Sequence, residues 1–567
     1  MDLNDIAQAM TTTTPVPDNF GINRYRDDPD LAALLSLYLS APLRAHLAPH
    51  LDTLGGLAGG RLDALAGTAD RNPPTIEHRS RNGLDRQRVI KHPDYVELER
   101  TAYSTFGLAA LSHRGGVLGW HAPMPATAKY ALTFLFVQAE FGLCCPVSMT
   151  DSLTRTLRKF GAPELVARYL PALTSLDFDE LAQGAMFMTE QGAGSDVGAT
   201  ETRAWQDDSG NWRLTGDKWF CSNPDASLAM VLARPDGGQP GTRGLTLFLL
   251  PRDRPDGSHN QVRILRLKDK LGTRSMASGE IRLEGAIAYP VGDLGRGFVQ
   301  MTDMINNSRL SNGVRAAGLM RRAVSDAMFV AREREAFGRH LVDLPLMRRQ
   351  LAKMTMRAEQ ARTMMFLTAA ALERADAGDE SSRRLARIMT PLIKFRACRD
   401  ARVVTGDAME VRGGCGYIEE WADPRILRDA HLGSIWEGTS NIVALDVIRS
   451  MRREQSLEAY ETLLDALLAD AAPDAALSDE FARARTAVLS LARAAAEKGR
   501  DAIARQAASG LYHLVTAAGM AREANRCGLP HRQALAGLVL RHRLLPRDPL
   551  AIVDDDAAID AVIDGKR

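Results

Sequence analysis

The chain changes texture twice, and this limits its fold more than any other feature. From Asp30 to about Phe178 apolar residues recur at helical spacing. Leu31-Ala-Ala-Leu-Leu-Ser-Leu-Tyr38 forms one apolar face, and Ala126 to Leu143 forms another, running into Cys144-Cys145-Pro146. Near Gly184 the pattern becomes short. Asn211-Trp-Arg-Leu-Thr215, Leu228-Ala-Met-Val-Leu-Ala233 and Gly244-Leu-Thr-Leu-Phe-Leu-Leu250 are separated by Asp, Asn, Gly and Pro, and two similar runs follow at Gln261 and Gly279. Such runs between turn residues predict an antiparallel β-domain. Helical periodicity returns at about Val299. Leu346 to Ala375 carries Leu, Met and Ala at three- and four-residue intervals, and Pro391 is expected near the start of the next helix, where proline is tolerated. The expectation is an α+β chain: an arm over 1–30, a helical domain over 31–183, a β-domain over 184–298, a helical bundle over 299–450 and an extra helical domain over 451–567.

Composition narrows the function classes. With 45% hydrophobic and 25% charged residues the chain reads as soluble and globular, and a net charge of +1 gives no overall pull toward nucleic acid or membrane. Cys144, Cys145, Cys221, Cys398, Cys415 and Cys527 show no CxxC spacing, and the histidines are dispersed, so no metal site is expected. The start, Met1-Asp-Leu-Asn-Asp-Ile6, has no basic and apolar leader. No apolar run is long enough to span a bilayer. A cytoplasmic protein with reduced thiols is expected.

Three segments carry chemistry. Ile435-Trp-Glu-Gly-Thr-Ser-Asn441 sets one carboxylate between an aromatic and a glycine, before an apolar-periodic stretch. The glycine permits a tight turn, and the hydroxyl residues after it can cap a following helix. Glu437 would then sit at a helix entrance, where a general base or a solvated cap are the two readings. Met186-Phe-Met-Thr-Glu-Gln-Gly-Ala-Gly-Ser-Asp-Val197 starts as a strand and ends in a loop of small residues. Its glycines let backbone N–H groups approach a phosphate or a flat ring, and Thr189 and Ser195 can donate to one; the alternative is a plain β-turn. It is no GxGxxG fingerprint and no βαβ unit surrounds it, which disfavours a nicotinamide-nucleotide fold. In Gly216-Asp-Lys-Trp-Phe-Cys-Ser-Asn223, Trp219 is either core or a wall beside a flat cofactor.

Together with Arg334-Glu-Ala-Phe-Gly338 and Val411-Arg-Gly-Gly-Cys-Gly-Tyr417, these segments stand in the order and rough spacing of the acyl-CoA dehydrogenase flavoproteins. Over about 120 to 450 the chain resembles that family. It is most similar to the AidB-type branch in its extended N-terminal part, in Gln191 where most relatives have Pro, in Trp-Glu rather than Tyr-Glu, and in the helical domain after the core. The resemblance implies FAD bound between the β-domain and the helices that follow. Met186, Met188, Thr189, Gly194 and Ser195 would face the flavin, with hydrogen bonds from Thr189 and Ser195. Trp219, Phe220, Cys221 and Ser222 would lie along the ring, although many relatives place Thr where Cys221 stands. Trp436, Gly438, Thr439 and Asn441 would complete the site. Arg334 and Phe337 match residues that reach the FAD of a neighbouring subunit, so a homotetramer is expected. Glu437 matches the base that removes the α-proton of an acyl-CoA thioester, a very weak acid that needs a carboxylate in reach and a stabilised enolate oxygen. Arg449 matches an arginine near the site of AidB-type relatives, and pairing with Glu437 would weaken the base; the alternative is a helix-surface residue. A short or branched acyl-CoA and an electron-transfer flavoprotein are the implied substrate and acceptor.

The C-terminal unit carries a second expectation. From Phe481 to Arg547 twelve Lys/Arg stand against three acids, a local excess of nine, while Asp548 to Arg567 is acidic. A basic helical stretch can neutralise phosphates without reading sequence. AidB-type relatives are associated with double-stranded DNA through this domain, and Arg541, Arg543 and Arg547 are the first choices for phosphate contacts. The bland reading is a solvated face or an oligomer contact. Cys144-Cys145 and the methionines of 354–365 are expected to be packing.

Overall fold

The computed structural model describes residues 16–552 and 554–565; the first half of the expected arm lies outside them. Among the described residues seven α-helices dominate the N-terminal part: α1 (Pro29–Leu35), α2 (Ala41–Gly59), α3 (Arg61–Arg71), α4 (Pro93–Arg100), α5 (Ala126–Phe136), α6 (Cys144–Phe160) and α7 (Pro163–Leu173). Between α3 and α4 a hairpin of β1 (Thr75–Arg79) and β2 (Asp85–Ile90) interrupts them, which the helical reading missed. Its strands are mostly polar and exposed, so no apolar alternation marks them. It docks on the β-domain, where Gln87 accepts from the Ile264 N–H at 2.9 Å.

The β-domain is built from β3 (Gly184–Phe187), β4 (Arg203–Gln206), β5 (Trp212–Ser222), β6 (Leu228–Pro235), β7 (Thr246–Pro251), β8 (Val262–Leu267) and β9 (Ser278–Pro290). Five of these close on themselves in the order β6-β4-β5-β9-β7-β6, with β3 beside β6 and β8 beside β9. The pairings are antiparallel, as expected, except that β3 and β4 each run parallel to β6. Parallel neighbours need a long connection, and the loop after Met188 with the β4–β5 hairpin supplies it.

The helical core is three long helices: α8 (Gly297–Glu333), α9 (Pro345–Asp376) and α10 (Glu380–Arg412). A short hairpin, β10 (Glu335–Ala336) and β11 (Arg339–His340), joins α8 to α9. Met354, Met356, Met364 and Met365 are buried in the core, as Cys144 and Cys145 are. The expectation for Pro391 is corrected. The helix begins eleven residues earlier, where the Asp379 carboxylate accepts from the Ser381 N–H, so Pro391 sits buried in its interior. There it removes one backbone donor. α11 (Asp423–Gly433) and α12 (Ser440–Glu454) pack on α10 and frame the turn that carries Glu437.

Beyond them lie α13 (Ser456–Ala471), α14 (Ala475–Ala496), α15 (Ala504–Cys527), α16 (Pro530–Val539), a π-helical turn (Leu540–Leu544) and α17 (Asp556–Asp564). This extension is fused to the core through buried charge. Arg532, fully buried, bonds Glu523 at 2.6 Å, Glu359 of α9 at 2.6 Å and Thr363 at 2.9 Å. Arg362 of α9 reaches Asp28 at 2.6 Å and Asp30 at 3.2 Å, and Asp30 accepts from His531 at 2.8 Å. Much of the basic excess is answered by acids outside its own window. Arg485 pairs with Asp465, Arg493 with Glu461, and Arg522 and Arg526 with Asp470. Arg541 leans on Glu480 and Asp555, Arg543 is half-buried, and Arg547 donates to His542. Arg541 and Arg543 are therefore not the free surface cations that the sequence suggested. No helix of the described residues is long and apolar enough to cross a membrane.

Candidate active site

The six residues between α11 and α12 must reverse the chain, and they do so with two consecutive left-handed residues, Glu437 at φ 57° and Gly438 at φ 102°. A glutamate in that region is uncommon, and a side chain at position 438 would crowd Arg309 and Val443 as well. The turn is pinned from behind by the long helices. Arg309 of α8 donates through Nε to the Glu437 carbonyl at 3.0 Å, and Lys394 of α10 donates to the Gly438 carbonyl at 2.6 Å. Arg309 is held in turn by Asp446 of α12 at 2.7 Å, which also takes two bonds from Arg387. Thr439 occupies the N-cap position of α12 without a side-chain capping bond.

The Glu437 carboxylate points into the protein. Its Oε2 is buried and has no hydrogen-bond partner. Burial pushes the carboxyl above its ordinary range, against the opposing pull of Ser308, Arg309, Lys394 and Arg315. Trp436 donates its indole N–H to Asn312 and stacks on Phe141 with ring centroids 6.0 Å apart, while the buried Arg315 guanidinium lies 4.5 Å from the indole centroid. The Cys145 thiol at the start of α6 lies among Arg315, Ser222 and Glu437, and burial raises its pKa. That cluster joins the Glu437 turn to the end of β5.

On the β side the Trp219 N–H donates to the Thr189 carbonyl at 2.8 Å, which fixes the two candidate segments side by side. The β5–β9 register slips between Lys218 and Cys221, and Phe220 adopts φ 55° with its ring 61% exposed. Such a bulge re-aims a side chain. Cys221 is buried, Ser222 and Trp219 are half-buried, and Lys268 sits over the Trp219 ring. Met186, Met188 and Thr189 are half-buried; Gly194 and Ser195 are exposed. A Cβ added at Gly192 or Gly194 would meet nothing, so this backbone is open to a close approach. Beneath the loop Glu190 takes bonds at 2.6 Å from both Lys218 and Thr202. Half-exposed thioethers, three hydroxyls, an exposed aromatic ring and open glycine backbone make a surface that fits a flat amphipathic ring such as a flavin.

Other expected residues stand apart. Arg334 donates to the Arg412 carbonyl at 3.0 Å, which brings its motif to the Gly413–Tyr417 turn, and Phe337 beside it is 93% exposed. Arg449 is 54% exposed and pairs with Asp446 at 3.3 Å. It does not pair with Glu437; Asp446 is also the partner of Arg309. Asn441 is exposed and accepts from Arg505 of the extension at 3.4 Å. Sequence reasoning did not reach Ser308, Arg309, Asn312, Arg315, Lys394 or Asp446. The α8 residues left a signal: Ser308, Asn312 and Arg315 make a polar stripe at helical spacing in a helix that is otherwise core.

Comparison with known proteins agrees with this geometry. Residues 185–286 match the acyl-CoA dehydrogenase middle domain, 295–452 the acyl-CoA dehydrogenase C-terminal domain, and 15–180 the adaptive response protein AidB N-terminal domain. The chain is 33% identical to acyl-CoA dehydrogenase family member 11 of Caenorhabditis elegans, over 79% of this chain and 73% of that protein. It is 34% identical to the putative acyl-CoA dehydrogenase AidB of Escherichia coli, over 75% of this chain and 76% of that one. The crystal structure of Caenorhabditis elegans ACDH-11 in complex with C11-CoA superposes with a TM-score of 0.85 at 28% identity, covering 95% of this chain and 94% of that one. The chain therefore belongs to the acyl-CoA dehydrogenase family, as an FAD-dependent oxidoreductase of its AidB-type branch.

Proposed function

We propose that this protein dehydrogenates an acyl-CoA at its α,β-bond, with Glu437 as the base. The observation that carries the reading is the Glu437 carboxylate: buried, without a hydrogen-bond partner at Oε2, raised in pKa, and fixed on a turn that two long helices hold. A carboxylate with a raised pKa is a stronger base toward a weak carbon acid. Glu437 takes the α-proton of the thioester, and its own backbone N–H is the proposed donor to the developing enolate oxygen. Trp436, locked by Asn312, Phe141 and Arg315, excludes water from that carboxylate. Bound FAD supplies the acceptor for the hydride that leaves the β-carbon. Met186, Met188, Thr189, Gly194, Ser195, Trp219, Phe220, Cys221 and Ser222 would hold it on the β side, and Trp436, Gly438, Thr439 and Asn441 on the helical side. Arg334 and the exposed Phe337 would meet a neighbouring copy in a homotetramer, checked by light scattering on the FAD-loaded protein.

The test is anaerobic absorbance of the yellow protein with acyl-CoAs from short and branched chains up to eleven carbons, the upper limit taken from the ligand of the ACDH-11 complex. Bleaching of the oxidised flavin band is expected, with reoxidation by an electron-transfer flavoprotein. No bleaching at any chain length would sink the reading. Glu437→Gln should slow bleaching by roughly 10²–10⁴-fold, the usual worth of a general base; an unchanged rate would remove Glu437 from the role.

Double-stranded DNA is the second proposed partner. It is supported by the cations of the extension that stay exposed, Lys498 and Arg505 among them. Retention on duplex DNA should fall steeply with salt and weaken in Lys498→Gln with Arg505→Gln. Salt-independent or absent retention would remove this partner.

A further inference from the structure

The extension closes on α9 over a cavity of about 260 Å³. Arg349, Lys353 and Arg357 line it from α9, and Arg543 lines it from the π-helical turn. Among the described residues Asp555 is the one acid on the wall, and it is engaged already: His542 Nε2 donates to it at 2.7 Å, and Arg541 lies 3.6 Å away. His542 adds no charge of its own. Arg547 donates to its Nδ1, so the remaining ring proton is the one on Nε2.

Arg349 is matched by Asp556 at 3.1 Å, but the other two arginines are poorly matched. Arg543 has no ion pair among the described residues, and its Nε is buried without a hydrogen-bond partner. Arg357 meets Asp400 and Asp407 only at 3.8 and 3.6 Å, beyond hydrogen-bond length, and its Nε is also buried and unpartnered. Asp400 is taken by Arg396 at 2.6 and 2.9 Å. Guanidiniums removed from water without a partner are costly, and neighbouring cations repel one another. Desolvation and the nearby Arg357 both act against the charge on Arg543. The rest of the lining is apolar, with Met356, Leu538 and Ile559 forming a floor. The π-helical turn that presents Arg543 is itself a rare geometry, frequent at functional sites.

We propose that this cavity binds a small phosphate monoester with an apolar body, gripped by Arg543 from the extension and Arg357 from the core. Lys353 stands at its mouth, and the organic part rests on Met356, Leu538 and Ile559. Charge selects the headgroup: Arg349 is taken by Asp556 and Asp555 by His542, which leaves Lys353, Arg357 and Arg543 to meet a dianion, and a guanidinium fork can match phosphate oxygens bidentately. The volume is near the lower end of small-molecule sites, roughly 300–1,000 Å³. Neither Glu437 nor any residue assigned to the flavin lines the cavity, so the proposal stands apart from the dehydrogenase reading.

The experiment is calorimetric titration of the FAD-loaded, full-length protein with phenyl phosphate. Saturable binding, one per chain, is expected, with inorganic phosphate competing and benzoate binding more weakly. Arg543→Gln should weaken phenyl phosphate roughly tenfold or more. Lys353→Gln changes an exposed residue, keeps the fold and should weaken it severalfold. Arg485→Gln, paired with Asp465 outside the cavity, should leave it unchanged. Absence of saturable heat, or binding unaltered in Lys353→Gln and Arg543→Gln, would overturn the site; benzoate binding as tightly as phenyl phosphate would overturn the headgroup.

Discussion

Glu437 pairs a carboxylate whose acid form is favoured with a backbone that few residues adopt. The left-handed conformation costs roughly 1–3 kcal/mol, met here by the bonds from Arg309 and Lys394. Lys394 also lies close enough to lower the Glu437 pKa. Removing that charge leaves burial less opposed, so Lys394→Met should move the acid limb of the flavin-bleaching rate to higher pH. A limb that stays in place would separate Lys394 from the base. A second titrating residue lies on α11. Asp429 accepts from the Thr273 N–H at 2.6 Å, and burial, with Glu140 beside it, lifts its pKa to about 7. The native state then holds a proton that the unfolded chain, with a pKa of about 4, has released. Stability is therefore lost as pH rises from about 4 to about 7. Asp429→Asn cannot titrate, so it should match wild type near pH 4 and melt at a higher temperature at pH 8.

At the scale of elements, the packing of α8 on β7 depends on a residue without a side chain. Gly297 starts α8, its N–H donates to the Leu245 carbonyl at 2.8 Å, and a methyl there would overlap the backbone of Thr246 and Leu247. Backbone cannot give way as a flexible side chain can. Gly297→Ala should cost about 2–3 kcal/mol, read as a lower midpoint in urea. The alternation of helical and short-strand texture was legible from periodicity, and so was the place of Glu437 in a turn before a helix, because a turn signal and a helix start bracket it. The parallel pairings of β6 were not, since register across a long connection leaves no local mark. Pro391 was misplaced because proline reads as a boundary, whereas burial on α10 holds the helix through it. Arg309, Lys394 and Asp446 were missed because a buried charged residue in a long helix looks like any surface charge until its partners, over a hundred residues away for Arg309, are known. Which members of the excess of nine positive charges stay free was not legible, because several counter-charges lie outside the window.

For the whole molecule, the extension and the core are one body. Arg532 links α16, α15 and α9 through carboxylates that are themselves buried. Arg532→Ala would leave the buried Glu523 without its cation, while Glu359 keeps Arg362, a loss of about 3–5 kcal/mol. The expected outcome is a lower urea midpoint for flavin release and tertiary signal together; separate transitions would show an extension that unfolds alone.

The contact between Asp30 and His531 spans 501 residues, and the carboxylates of Asp28 and Asp30 find Arg362 only after more than half the chain exists. During synthesis at roughly 5–20 residues per second, the first helix waits about 25–100 s for its last partner to emerge. Asp28 and Asp30 lack Arg362 for the first two thirds of that interval, and α9, once made, lacks its cover for the rest. The ribosome thus carries a nascent chain that is long, sticky and unfinished, and the final stretch of translation, rather than its beginning, is when this protein closes.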